Sequence, residues 1–155
     1  MPITNGYCTL NELKASLRIP VSDTVDDDLL ELAIESASRD IDQATERQFF
    51  PTDTHRFYTP RDSLVCETDD IAALTSIRTS TGADGNYDET WTASDYQLEP
   101  LNGIAGGMTV PFDAIRAVGD YSFPMSGQEV TVRVEATFGF ATAPTAIRQA
   151  AVLLS

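Results

Sequence analysis

The sequence predicts an α+β chain: an N-terminal helical pair, one short and one long, then a small antiparallel β region and a C-terminal helix. Three observations carry this. Two helix-start signatures lie near the N-terminus, Thr9-Leu-Asn-Glu12 and Thr24-Val-Asp-Asp-Asp28. From His55 onward the apolar spacing changes to short alternating runs. Near the end an alternating run from Val130 to Phe138 leads through Gly139 and Pro144 into a helical spacing. At 155 residues the chain is expected to form one domain, 1–155, with a real core.

The expected helices cover about 9–19, 25–49 and 144–155, and the β region about 55–138. Thr9 and Glu12 form a capping-box pattern, and Leu10, Leu13 and Leu17 follow at helical spacing up to Pro20. Thr24 is the expected cap of the second helix. Asp26, Asp27 and Asp28 sit in its first turn, where the helix dipole favours carboxylates. Leu30, Ile34, Ala37, Ile41 and Ala44 form one narrow apolar stripe, and Phe49-Phe50-Pro51 is the expected exit. In the last helix Pro144 suits the first position, and Ile147, Ala150, Ala151 and Leu154 share a face. Its apolar ending, Val152-Leu-Leu-Ser155, reads as cut short or as docking on a partner.

Within the β region, Arg56–Tyr58, Leu64–Cys66 and Leu74–Thr79 read as short strands separated by Pro60-Arg-Asp and by Asp69-Asp70. Thr81-Gly-Ala-Asp-Gly-Asn86 is a turn signal that predicts a hairpin, with Trp91–Leu98 returning. Pro100–Gly107 reads as a loop, while Met108, Val110 and Phe112 alternate, as do Tyr121 and Phe123. The last strand is the clearest: Val130, Val132, Val134, Ala136 and Phe138 point one way, and Thr131, Arg133, Glu135 and Thr137 the other.

Charge narrows the function. The chain has 24 acidic and 10 basic residues, a net of −14, and Lys14 is its one lysine. A grip on DNA phosphates needs clustered Lys and Arg, so tight nucleic-acid binding is not expected. An acidic surface repels DNA, which is useful where DNA must pass without sticking. The opening Met1-Pro-Ile-Thr-Asn-Gly lacks the basic and apolar regions of a signal peptide. No apolar run approaches a membrane span, so no membrane partner is expected. Cys8 and Cys66 read as buried free thiols of a reducing compartment.

The chemistry-bearing residues read as structural. His55 is the sole histidine and lies in no nucleophile motif, so a surface or strand-edge role is expected. One histidine and two unclustered cysteines do not make a zinc site. Asp84, Asn86, Asp88 and Asp95 match a fragment of a calcium loop, but Glu89 stands where glycine is required, and a hairpin tip accounts for them better. No phosphate-cradling glycine loop is present. No catalytic residue, cofactor or metal is expected.

Tyr7 to Ile19, followed by Asp26 to Asp42 with its D-x-x-L-x-x-x-I-x-x-A spacing at Asp27, Leu30, Ile34 and Ala37, resembles the start of the head–tail connector (head completion, adaptor) proteins of tailed phages. Phe138-Gly-Phe140 followed by Pro144, Ile147 and Ala150 is similar to that family's closing strand–helix step. The resemblance covers roughly residues 7–51 and 128–154, and the middle matches in character, as at Ser94–Leu98. It implies a structural virion protein of the neck, assembled in the host bacterial cytoplasm and without enzymatic activity. Such a protein forms a homo-oligomeric ring below the twelvefold portal protein and extends the DNA channel, so that DNA passes without specific binding. It also docks a stopper or tail-completion protein. On this reading Ile147, Arg148, Ala151 and Leu154 contact the portal, and Glu31, Glu35, Asp42 and Glu46 line the channel. The alternatives are another neck or tail protein, such as a stopper or tail terminator, or a small acidic calcium-binding module.

Overall fold

In the computed structural model, which describes residues 3–82, 84–125 and 130–155, the chain divides into two compact units. Residues 1–50 and 142–155 form a helical unit, and residues 51–141 a sheet unit. Met1, Pro2, Ala83 of the predicted turn, and residues 126–129 just before the last strand lie outside the described residues.

The helical unit contains α1 (Leu10–Leu17), α2 (Asp27–Thr45) and α3 (Thr145–Leu154). Thr9 caps α1 as predicted: its Oγ1 accepts from Glu12 N at 3.2 Å, and the Glu12 carboxylate accepts from Thr9 N at 2.8 Å. Leu13 is buried, but Leu17 is exposed, because α1 ends in a left-handed turn at Arg18 before the stripe completes a further turn. The cap of α2 is Asp26 and not Thr24; its carbonyl accepts from Leu29 N and Leu30 N, both at 3.0 Å. The helix stops at Thr45, short of the expected Phe49, because Glu46 turns left-handed and redirects the chain. Ile34, Ala37 and Ile41 of the stripe are buried, together with Ser38, whereas Leu30 is half-buried and Ala44 exposed. Pro144 is the cap of α3 and not its first residue, so the helix starts one residue later than predicted. Ala151 is fully buried, and α3 packs on both α1 and α2.

The sheet unit contains β1 (Thr52–Tyr58), β2 (Val65–Thr79), β3 (Glu89–Thr90), β4 (Tyr96–Glu99), β5 (Ile104–Ala105), β6 (Met108–Thr109), β7 (Phe112–Ala117) and β8 (Val132–Phe138). The main sheet is antiparallel in the order β1-β8-β2-β7-β4, with β3 paired to the last two residues of β2, and β5–β6 form a separate hairpin. Strand β8 lies between β1 and β2, and its Val132, Val134, Ala136 and Phe138 are buried as the alternation predicts. They join Cys66, Ile71, Ile77, Ile115 and Phe123 in one core.

Three strand expectations are corrected. Asp69-Asp70 does not interrupt the chain but lies inside the 15-residue β2, where the register against β7 shifts between Glu67 and Ile71. The irregularity lets Asp70 O accept from Gly139 N at 2.7 Å, which holds the end of β8. Trp91–Leu98 is not one returning strand. The predicted hairpin exists through β3, but Asp95 accepts from Thr92 N at 2.6 Å and from Thr92 Oγ1 at 2.7 Å, and this turn diverts the chain to β4 beside β7. Tyr121 and Phe123 are not in a strand; Phe123 fills the core from a loop, its ring stacked on Trp91 at 4.6 Å.

Candidate interaction surfaces

The acidic face of α2 follows from its narrow stripe: the buried positions leave the remaining faces to Glu31, Glu35, Asp40 and Asp42. Glu35 and Asp42 hold the chain ahead of α1. Glu35 Oε1 accepts from Thr4 N and from Asn5 N, the latter at 3.1 Å. Asp42 accepts from the Tyr7 hydroxyl and pairs with Arg39 at 3.2 Å. Arg39 in turn donates to Asn5 O at 2.9 Å and lies over the Phe50 ring at 4.8 Å. The acidic face thus anchors the segment before α1. Burial, then the Asp42 carboxylate, pushes the Tyr7 phenol well above its ordinary value. Glu31 is half-buried, and Glu46 is exposed at the left-handed C-cap.

On α3 the four candidate residues separate. Ala151 faces the unit's own core, so contact through it requires α3 to move. Arg148 pairs with Glu12 across to α1. Ile147 is half-buried, and Leu154 is 63% exposed beside Leu153 at 85%. An open depression of about 540 Å³ runs between α1 and α3, lined by Glu12, Arg148, Val152 and Leu153 among others. Its lining is mixed: the Glu12–Arg148 ion pair, Thr145 and Gln149 stand beside the apolar Val152 and Leu153.

His55 is exposed on β1, its ring edge-on to Phe57 at 5.3 Å. The calcium-like residues serve separate turns. Asp84 accepts from Asn86 N at 3.0 Å, which holds its carboxyl below the usual range, while Asp95 ties Thr92 and Ser94. Among the described residues no group of three or more His, Cys, Asp or Glu is arranged to hold a metal ion. Likewise, no helix among them is long and apolar enough to cross a membrane. Cys8 and Cys66 are free and buried, as expected. Burial pushes the Cys66 thiol up to about 12.

One element of the sheet unit is not anticipated by the sequence. Pro100–Gly107 was expected to be a loop, yet it holds a short 3-10 turn at Leu101–Gly103 and the start of the β5–β6 hairpin. Gly106 and Gly107 both take positive φ, 58° and 79°, the signature of a two-residue hairpin turn. That adjacent Gly-Gly pair between Ile104 and Met108 was the available signal.

Residues 7–120 match the family described as phage gp6-like head–tail connector protein. No curated protein matches the chain. Two solved structures share the fold. One contains the neck of an empty gene transfer agent particle computed with C6 symmetry, at a TM-score of 0.65 and 18% identity over 99% of this chain and 78% of the other. The second is the virion of a native gene transfer agent particle, at a TM-score of 0.61 and 20% identity over the same shares.

Proposed function

The chain belongs to the phage gp6-like head–tail connector family, and from that premise we propose that it is a structural protein of the virion neck that forms a ring below the portal. The observation that carries the proposal is the family match over residues 7–120, which takes in α1, α2 and all of the sheet unit up to β7. The neck and virion assemblies of the two structural neighbours support the same place in a particle. The ring matches the portal's twelvefold symmetry, extends the DNA channel and offers its far side to the next neck or tail component. Its role is assembly and not catalysis.

Portal docking falls to α3 through Ile147 and Arg148 in its first turn and Leu154 at its exposed end, with Ala151 holding the helix to its unit. Burial of Leu153 and Leu154 on a partner supplies affinity that solvent exposure withholds. The channel wall draws on the acidic face of α2, where Glu31 and Glu46 join Glu35 and Asp42. The stretch 23–47 carries nine acids and two arginines, half the chain's net charge, and such a wall repels passing DNA.

Size-exclusion chromatography with light scattering, on the chain alone and mixed with the portal protein of the same genome, tests this. A stoichiometric complex with the portal supports the proposal; a monomer that never co-elutes with the portal contradicts it.

A further inference from the structure

The β5–β6 hairpin buries almost nothing of its own. All four strand residues are exposed, with Ile104 at 53% and Met108 at 68%, and Leu101 at its base is 59% exposed. An isolated two-stranded hairpin is marginal in water. Its base is nonetheless firmly built: Gly103 N donates to Pro100 O at 2.9 Å, and Val110 N to Gly103 O at 2.8 Å. A Cβ on Gly103 would lie 3.1 Å from Val110 O, at φ +61°. The chain thus holds a defined projection whose apolar side chains meet solvent.

Charge identifies what can cover it. Pro100 to Phe112 has no charged residue, in a chain of net −14. Two copies of so acidic a chain repel one another over most of their surface, so they meet most cheaply where that charge is missing. Topology supplies the receiving surface. The hairpin leaves the sheet between β4 and β7, at one edge; β1 is the opposite edge. Strand β1 is the end strand of the sheet and has β8 as its ladder partner among the described residues, the position at which a further strand or projection can be added. Beside that edge stands an exposed aromatic group, Phe57 at 49% exposure, with Tyr87 at 5.4 Å and His55 at 5.3 Å. A projection at one edge and a receptor at the other make a head-to-tail contact, the kind that closes into rings.

We propose that the β5–β6 hairpin of one subunit docks on the β1 edge and Phe57 of a second copy of this chain, and that this contact repeats around the ring. The proposal rests on the ring reading above. The test mixes two full-length single variants, Phe57→Cys and Met108→Cys, in the presence of the portal under mild oxidation; native Cys8 and Cys66 are buried. The mixture is expected to give a crosslinked dimer, the double variant a ladder of higher species, and each single variant alone neither. Dimers from Met108→Cys alone, or no crosslink while rings are visible, overturn the hairpin contact. In parallel, Ile104→Asp with Met108→Asp is expected to keep the wild-type melting temperature and lose ring assembly. Normal rings from that variant overturn the inference and leave the ring reading standing. Absence of rings from the wild-type chain with portal removes both.

Discussion

Lys14, the sole lysine, is buried at 1% exposure and forms an ion pair with Asp27 in the first turn of α2. Its Nζ also donates to Asp23 O at 2.6 Å, so one ammonium gathers α1, the linking turn and the start of α2. The dipole explains why Asp27 is tolerated at that position; the lysine explains why the two helices meet there. Lys14→Ala is expected to lower stability by about 3 kcal/mol, since it removes one partner of a largely buried pair. Lys14→Met, which keeps the apolar stem, is expected to cost less. Urea unfolding of the three proteins checks this, and equal losses for the two variants would assign the role to charge alone.

Ile34 and Leu154 separate core from surface. Ile34 has no exposure, so Ile34→Asp buries an unpaired charge and is expected to unfold the helical unit. Leu154 is 63% exposed, so Leu154→Asp is expected to leave the far-ultraviolet circular dichroism spectrum unchanged and to weaken portal binding. A Leu154→Asp protein that melts early would make the end of α3 core.

Trp91 offers a probe of the sheet unit. Its indole Nε1 donates to Thr79 Oγ1 at 3.0 Å while its ring stacks on Phe123. Thr79→Val keeps the shape and removes the acceptor, leaving a buried donor unmatched at a cost of about 1–3 kcal/mol. Tryptophan fluorescence during denaturant unfolding reads the shift, and an unchanged midpoint would show that the bond contributes nothing net.

Stability is expected to fall at both ends of the pH scale. The bond from Thr9 N holds the Glu12 carboxyl below its ordinary value, and the Arg116 guanidinium does the same for Glu99. For Asp69, burial pulls upward, but Arg56 and Tyr58 outweigh it and its carboxyl is also depressed. A depressed carboxyl contributes stability above its unfolded value of about 4, lost as pH falls through the folded value. Burial raises the Cys66 thiol to about 12, and it raises the Tyr7 and Tyr58 phenols as well. A raised thiol contributes stability that is complete below its unfolded value of about 8.5 and lost as pH rises toward the folded one. The melting temperature should therefore plateau between about pH 5 and 8 and decline on either side. A midpoint that keeps rising to pH 10 would contradict these assignments.

The pattern of what was legible follows from range. The capping box at Thr9, the stripe through Ile34 and Ile41, and the alternation of Val132 to Phe138 are local signals, and each holds. Asp69-Asp70 looked like a turn because acidic pairs favour turns, but its role as a bend within β2 depends on β7 and on Gly139, far along the chain. Trp91–Leu98 reads as one strand returning from the Thr81–Asn86 turn, yet the Asp95 turn decides the path. Glu35 and Asp42 read as a bare acidic face, since nothing in their spacing says that Thr4, Asn5 and Tyr7 return to them. On α3 the helical face was legible, but its spacing could not say that Ala151 is buried while Leu154 is exposed.

The most direct test of the central claim is negative-stain electron microscopy of the portal protein with and without this chain. An added collar on one face of the portal, with the portal's symmetry and a continuous central opening, is the predicted result. Unchanged portal particles beside a monomeric chain at saturating concentration would contradict the connector account.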